Sequence, residues 1–133
     1  MCYSIKIMTI RAKKDDINVL VGAEVSTIKL GYDITLELAY DHGENRTTAY
    51  LYIYAPFNLM SKGGKAMIDP DDAKTWPDVL TLMHTKVESI KCTEDEVISL
   101  SFSSGQSFTI APVPRYEAWL LMGRGFWYVA QPN

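Results

Sequence analysis

The chain has 133 residues, 47% of them hydrophobic, with thirteen Lys and Arg against sixteen Asp and Glu. That length and apolar fraction fit one domain, residues 1–133, with its own core, and leave too little chain for a second. A net charge of -3 works against general affinity for nucleic-acid phosphates, and no apolar run approaches the roughly 20 residues that span a bilayer.

The opening residues, "MCYSIKIMTIRAKK", alternate and lack the basic, apolar and small-residue order of a secretory signal, so a cytoplasmic protein is expected. Cys2 and Cys92 are too few for a disulfide scaffold and are expected as reduced thiols. From Asp16 the sequence "DINVLVGAEVSTIK" lies without a gap over "DVLTLMHTKVESIK" from Asp78, with five identities in fourteen positions. Matched apolar positions at one spacing are what a repeated supersecondary unit requires. Repeat halves of about 16–57 and 78–119 follow, each a short helix or turn and three strands.

In the first half Ile34, Leu36, Leu38 and Tyr40 alternate with Thr35, Glu37 and Ala39, which predicts a half-buried antiparallel strand. "DHGEN" supplies a glycine turn, and in "AYLYIYAP" Leu51 and Ile53 are expected inward, with Tyr50, Tyr52 and Tyr54 on the opposite face. Residues 58–77 read as an inter-repeat linker in which Gly63-Gly64 breaks any regular element. Asp69-Pro70 reads as an N-cap and first helical residue, predicting a short helix near 70–75, and Asp78 opens another. In the second half Ile98, Leu100 and Phe102 alternate with Ser99 and Ser101 before the turn "SSGQS". Residues 119–122 and 126–129 form a closing hairpin about Gly123-Arg124-Gly125. The expected class is α+β, mainly an antiparallel sheet built from two related halves with a C-terminal hairpin.

The reactive inventory is thin. His42 falls in a turn, and His84 stands where the other repeat copy has Gly22; a solvated histidine competes with a general base or metal ligand at each. No CxxC, HExxH or paired-His spacing points to a metal site. "SKGGKAM" lacks the frame of a phosphate loop, since Ala66 stands where Ser or Thr would hold magnesium. No catalytic residue and no cofactor are expected.

Carboxylates do cluster: Asp69, Asp71, Asp72 and Asp78 in the linker, and Glu94, Asp95 and Glu96 in the second repeat. They read either as a solvated loop or as an electrostatic docking surface beside Trp76, an interface anchor if exposed and a plug over the sheet if not. The candidate partner-binding residues are Asp71, Asp72, Trp76, Asp78, Glu94, Asp95, Glu96 and Trp127.

Residues 80–133 carry a recognisable pattern in Leu82, Val87, Leu100, Phe102, Gly105, Ile110, Tyr116, Glu117 and Trp119. It resembles a family of small bacterial proteins of uncharacterised function with a Phe-x-x-Gly turn and a Tyr-Glu-x-Trp segment before a C-terminal hairpin. Members of that family often end in Pro-Gly-Gly, whereas this chain ends in Gln131-Pro132-Asn133. Such proteins often occur among the immunity proteins of polymorphic toxin systems, and the resemblance implies a binding protein that neutralises a cognate toxin. Against a nuclease toxin, the carboxylates are expected to mimic phosphates. The alternatives are a small-molecule or peptide-binding module on the tyrosine face, and a hydrolase using His42 or His84.

Overall fold

The computed structural model describes residues 14–132. Cys2 and the alternating opening stretch lie outside the described residues.

A short 3-10 helix, η1 (Lys14–Leu20), leads into β1 (Glu24–Leu30), β2 (Ile34–His42) and β3 (Asn45–Ile53), joined as an antiparallel meander. A hairpin follows, β4 (Phe57–Ser61) and β5 (Gly64–Ile68). The order then repeats: 3-10 helix η2 (Ala73–Leu82), meander β6 (Val87–Cys92), β7 (Ile98–Phe102) and β8 (Ser107–Ile110), and hairpin β9 (Trp119–Gly123) and β10 (Phe126–Val129). Each hairpin joins the sheet of the other meander. One sheet has the order β1-β2-β3-β9-β10 and the other β5-β4-β8-β7-β6. The resulting architecture is an open, sandwich-like pair of five-stranded antiparallel sheets.

Alternation of side chains decides which faces meet. Leu36, Leu38, Leu51, Ile53, Trp119 and Leu121 turn one way in the first sheet, as do Leu59, Leu100, Phe102, Phe108 and Ile110 in the second, and all are buried in one cluster. Burial of this apolar surface, at about 25 cal/mol per Å², is the main stabilising term. The exchanged hairpins make that core common to both meanders, since neither sheet is complete without strands from the other part of the chain.

Three expectations change here. The class is mainly β instead of α+β: the helical segments among the described residues are η1 and η2, both 3-10. Pro77 lies inside η2 and lacks the N–H that a continuing α-helix would use. Asp72, not Asp69, caps that helix, accepting from the Lys74 amide at 3.2 Å, so one element replaces the two expected at 70–75 and from Asp78. The stretch read as a broken linker is the β4–β5 hairpin, with Lys62-Gly63 as its turn and Gly64, the first residue of β5, at φ 130°.

The helix-to-strand junctions meet each other. Gly22 N–H donates to the Val87 carbonyl at 2.7 Å and His84 N–H to the Val25 carbonyl at 2.8 Å; Val25 N–H donates to Thr85 and Val87 N–H to Ala23. Gly22 aligns with His84, Ala23 with Thr85 and Val25 with Val87, so each bond has a counterpart with the roles exchanged. Gly22 at φ 90° and His84 at φ 66° share the left-handed backbone. The register shifts at Val25/Thr27 and Val87/Ser89 correspond in the same way.

Candidate functional site

The carboxylates picked out from the sequence do not form one surface. Asp71 and Asp72 are exposed in the loop after β5, and Asp78 is exposed within η2. Glu94 and Asp95 are exposed in the β6–β7 turn. β5 and β6 are the two edges of the second sheet, four strand spacings or about 19 Å apart. Trp76 is half-buried against the core, and its indole N–H donates to the Asp69 carbonyl at 2.9 Å, so it plugs the loop against the sheet.

Glu96 differs most from its expected place: it is buried, at φ 63°. Its carbonyl accepts from the Trp119 indole N–H at 2.9 Å, and its Oε1 accepts from the Gln131 amide at 3.1 Å. The carbonyl therefore fastens the β6–β7 turn of one sheet to β9 in the other, and the side chain fastens it to the chain after β10. It is not available as a docking carboxylate.

The outward side of the first sheet is a different kind of surface. Pairing sets Thr27, Glu37, Tyr50, Met122 and Trp127 in one row across all five strands. Tyr52 and Leu120 flank that row as the next outward pair. Met122 is exposed, while Tyr50, Tyr52, Leu120 and Trp127 are half-buried. The Tyr50 and Tyr52 rings stack with centroids 6.1 Å apart. Lys29 bonds Glu37 at 3.0 Å across the strands, and that carboxylate raises the lysine's pKa by hydrogen bonding and charge. Tyr54, expected on this face, lies beyond the end of β3; burial, then the charges of Asp33 and Glu117, raise its hydroxyl pKa.

In the second sheet the corresponding seam is open. β3 and β9 pair at four positions, from Tyr50↔Met122 to Ile53↔Trp119, whereas β8 and β4 pair only at Met60↔Ser107. A groove of about 500 Å³ lies on the outer face there, over Phe57 and Phe108, whose rings are buried in the core with centroids 5.0 Å apart. Asn58, Met60, Ser107 and Thr109 form its rim, and no ionisable side chain lines it. The sequence hides this groove, because residues 58–61 of β4 read as linker. The signal was present: Leu59-Met60, Lys62 and Gly63 match Leu121-Met122, Arg124 and Gly125 at the spacing that relates Asp16 to Asp78.

The other reactive candidates are dispersed. His84 Nδ1 lies 3.0 Å from Glu24 Oε2 at the junction of the two meanders, and His42 is exposed at the end of β2. Burial, then the charge of Glu96, pushes the Cys92 thiol up to about 12, which removes the thiolate needed for nucleophilic or ligand chemistry at neutral pH. Among the described residues no three His, Cys, Asp or Glu side chains come together to hold a metal ion, and no helix is long and apolar enough to cross a membrane.

No curated protein and no solved structure matches the chain. One family model does, over residues 16–132, which takes in both meanders and both hairpins. The chain belongs to the family described as "Family of unknown function (DUF6188)".

Proposed function

We propose that this protein acts by binding another protein, and that its partner is a toxin domain neutralised in the cytoplasm of the producing cell, without catalysis. The observation that supports a binding role is the outward face of the first sheet, where Tyr50, Tyr52, Met122 and Trp127 form a continuous, partly exposed strip. Aromatic residues and methionine are enriched at protein interfaces, and a few such anchors carry most of the binding energy. The row it belongs to runs across all five strands of the sheet, an extended surface that suits a protein better than a small molecule. The toxin as partner comes from the resemblance of residues 80–133 to proteins found among immunity proteins. Asp71 and Asp72 at one edge of the second sheet, and Glu94 and Asp95 at the other, act on encounter rate as separate charges, not as one phosphate mimic.

The test is whether a neighbouring gene encodes a toxin-like domain and, with that domain, growth of cells co-expressing it with this protein, followed by affinity measurement on the purified pair. Protection by the wild-type chain is expected, and its absence sinks the toxin reading. The variants Tyr50→Ala and Trp127→Ala are each expected to weaken the complex at least about 30-fold, the effect of losing a hot spot of about 2 kcal/mol. Full affinity in both would move the interface elsewhere.

A further inference from the structure

The edges of the two sheets differ in regularity. β1 and β6 each carry a register shift, at Val25/Thr27 and Val87/Ser89, and the segments leading into them hydrogen-bond each other. A bulge twists an edge away from further pairing. β5 pairs with β4 at five successive positions without a shift and stands at the end of its sheet, as β10 does in the other. Of these two regular edges, β10 has no charged residue, whereas β5 has charge of opposite sign at its two ends. Lys62 and Lys65 are exposed at the turn end. Asp71 and Asp72 are exposed just past the other end, where Asp69 joins them against Lys74. Between the ends, Met67 is 51% exposed.

We propose that β5 is a self-association edge, to which the β5 strand of a second copy of this chain adds antiparallel about a twofold axis at Ala66, joining two five-stranded sheets into one. A twofold contact needs a surface complementary to itself, and a strand that is basic at one end and acidic at the other meets that need when paired antiparallel. Centred on Ala66, the pairing runs the whole length of β5, so that Gly64 meets Ile68 and Lys65 meets Met67 of the second copy. Faces are kept in register, because Lys65 and Met67 are exposed while Ala66 and Ile68 pack towards the core. The Lys65 stem then covers the second copy's exposed Met67, and its ammonium has Asp69 on the diagonal. Lys62 comes beside the second copy's Asp71. A lysine in an edge strand ordinarily wards off another strand, and moving the axis to Lys65 would set two lysines face to face. The charges therefore select the register as well as the partner. Five residues a side make a small contact, which places the dimer among weak, exchanging assemblies. The edge belongs to the other sheet from the tyrosine strip, and the proposal does not depend on the toxin reading.

The test is sedimentation equilibrium of the full chain up to about 1 mM, at low and at high salt. The mass is expected to rise with concentration from 15.0 kDa towards twice that value, less so at high salt. Lys62→Glu/Lys65→Glu and Asp71→Lys/Asp72→Asn are each expected to weaken association at least about tenfold. All four positions are exposed, and asparagine keeps the side-chain oxygen that caps η2. An equimolar mixture of the two variants is expected to recover wild-type association, since opposite charges then meet at both ends. In the wild-type chain, which needs no variant to fold, the amide signals of residues 64–68 are expected to move with concentration. A mass that stays at 15.0 kDa, unchanged association in either variant, no recovery in the mixture, or signals that move only elsewhere would overturn the proposal.

Discussion

Trp119 and Phe57 open the two hairpins at corresponding places, and the difference between them shows how one backbone plan yields unequal seams. Trp119 is fully buried, pairs with Ile53, and donates its indole N–H to Glu96. Phe57 is buried to a similar degree but has no N–H to give, and its side of the sheet borders the groove. The turns facing them follow suit. Glu96 is buried where the second meander needs an acceptor, while Tyr32, in the matching β1–β2 turn, is fully exposed. The backbone tolerates both arrangements because the remaining core is shared by the two sheets.

The largest expected effect tests that asymmetry directly. Trp119→Ala removes a large buried side chain and the link to Glu96, and is expected to lower unfolding free energy by about 3–5 kcal/mol. Phe57→Ala is expected at the low end of that range, about 3 kcal/mol, because its surroundings already border open space. Urea denaturation of both variants measures the difference. A larger loss from Phe57→Ala would mean that the second sheet, groove included, is the better packed of the two.

The strand pattern was legible because apolar alternation has a simple physical cause: every second side chain of β2, β3, β7 and β8 must turn inward. The hairpin at residues 119–129 was legible for the same reason. Its counterpart at residues 57–68 was not, since Lys62, Gly63, Gly64 and Lys65 place charge and backbone freedom where the second copy has Arg124, Gly125, Phe126 and Trp127. Local composition hid an element that pairing in the other sheet creates. The exchange of hairpins left no local signal, because it depends on which sheet edge each hairpin reaches. The candidate site suffered similarly. The carboxylates are adjacent in sequence within each cluster, yet the clusters sit on opposite sheet edges, and the Glu96 side chain turns inward to the Gln131 amide, 35 residues away.

Next in size is a pair of small residues. An added methyl group at Gly123 would meet the Phe126 ring head on, whereas Ser61 holds the matching place opposite Gly64 and has no ring above it. Gly123→Ala is expected to cost about 1–3 kcal/mol through overpacking. Ser61→Ala, at an exposed position, is expected to stay within about 0.5 kcal/mol. Thermal unfolding reads both, and equal effects would show that Phe126 moves aside freely.

A smaller contrast lies at the junction where the two meanders exchange hydrogen bonds. Gly22 holds its left-handed backbone without strain, and alanine there is expected to cost about 1 kcal/mol. His84 holds the same conformation under strain, partly offset by its contact with Glu24. His84→Gly relieves the strain and loses a surface contact of about 0–1 kcal/mol, so a net change near zero is expected. A loss as large as that of Gly22→Ala would make the Glu24 contact the stronger of the two terms.

The smallest effect concerns Cys92, which pairs with Ile98 at the end of β6 as Leu30 pairs with Ile34 at the end of β1. A thiol in a leucine's place is held neutral by burial and by the charge of Glu96, with its pKa raised from 9.0 to about 12. In the unfolded chain the thiol ionises near its ordinary value, while in the native state it stays protonated. The native state therefore binds more protons over that interval, and the thiol's contribution to stability is fully present below pH 9 and is lost as pH rises towards 12. Cys92→Ala is expected to remove this alkaline component of the decline measured by urea unfolding. Alkylation by iodoacetamide at pH 8 is expected to be slow in the native chain and fast in denaturant. Rapid alkylation of native Cys92 would show that its slot is open to solvent, unlike the leucine slot it matches.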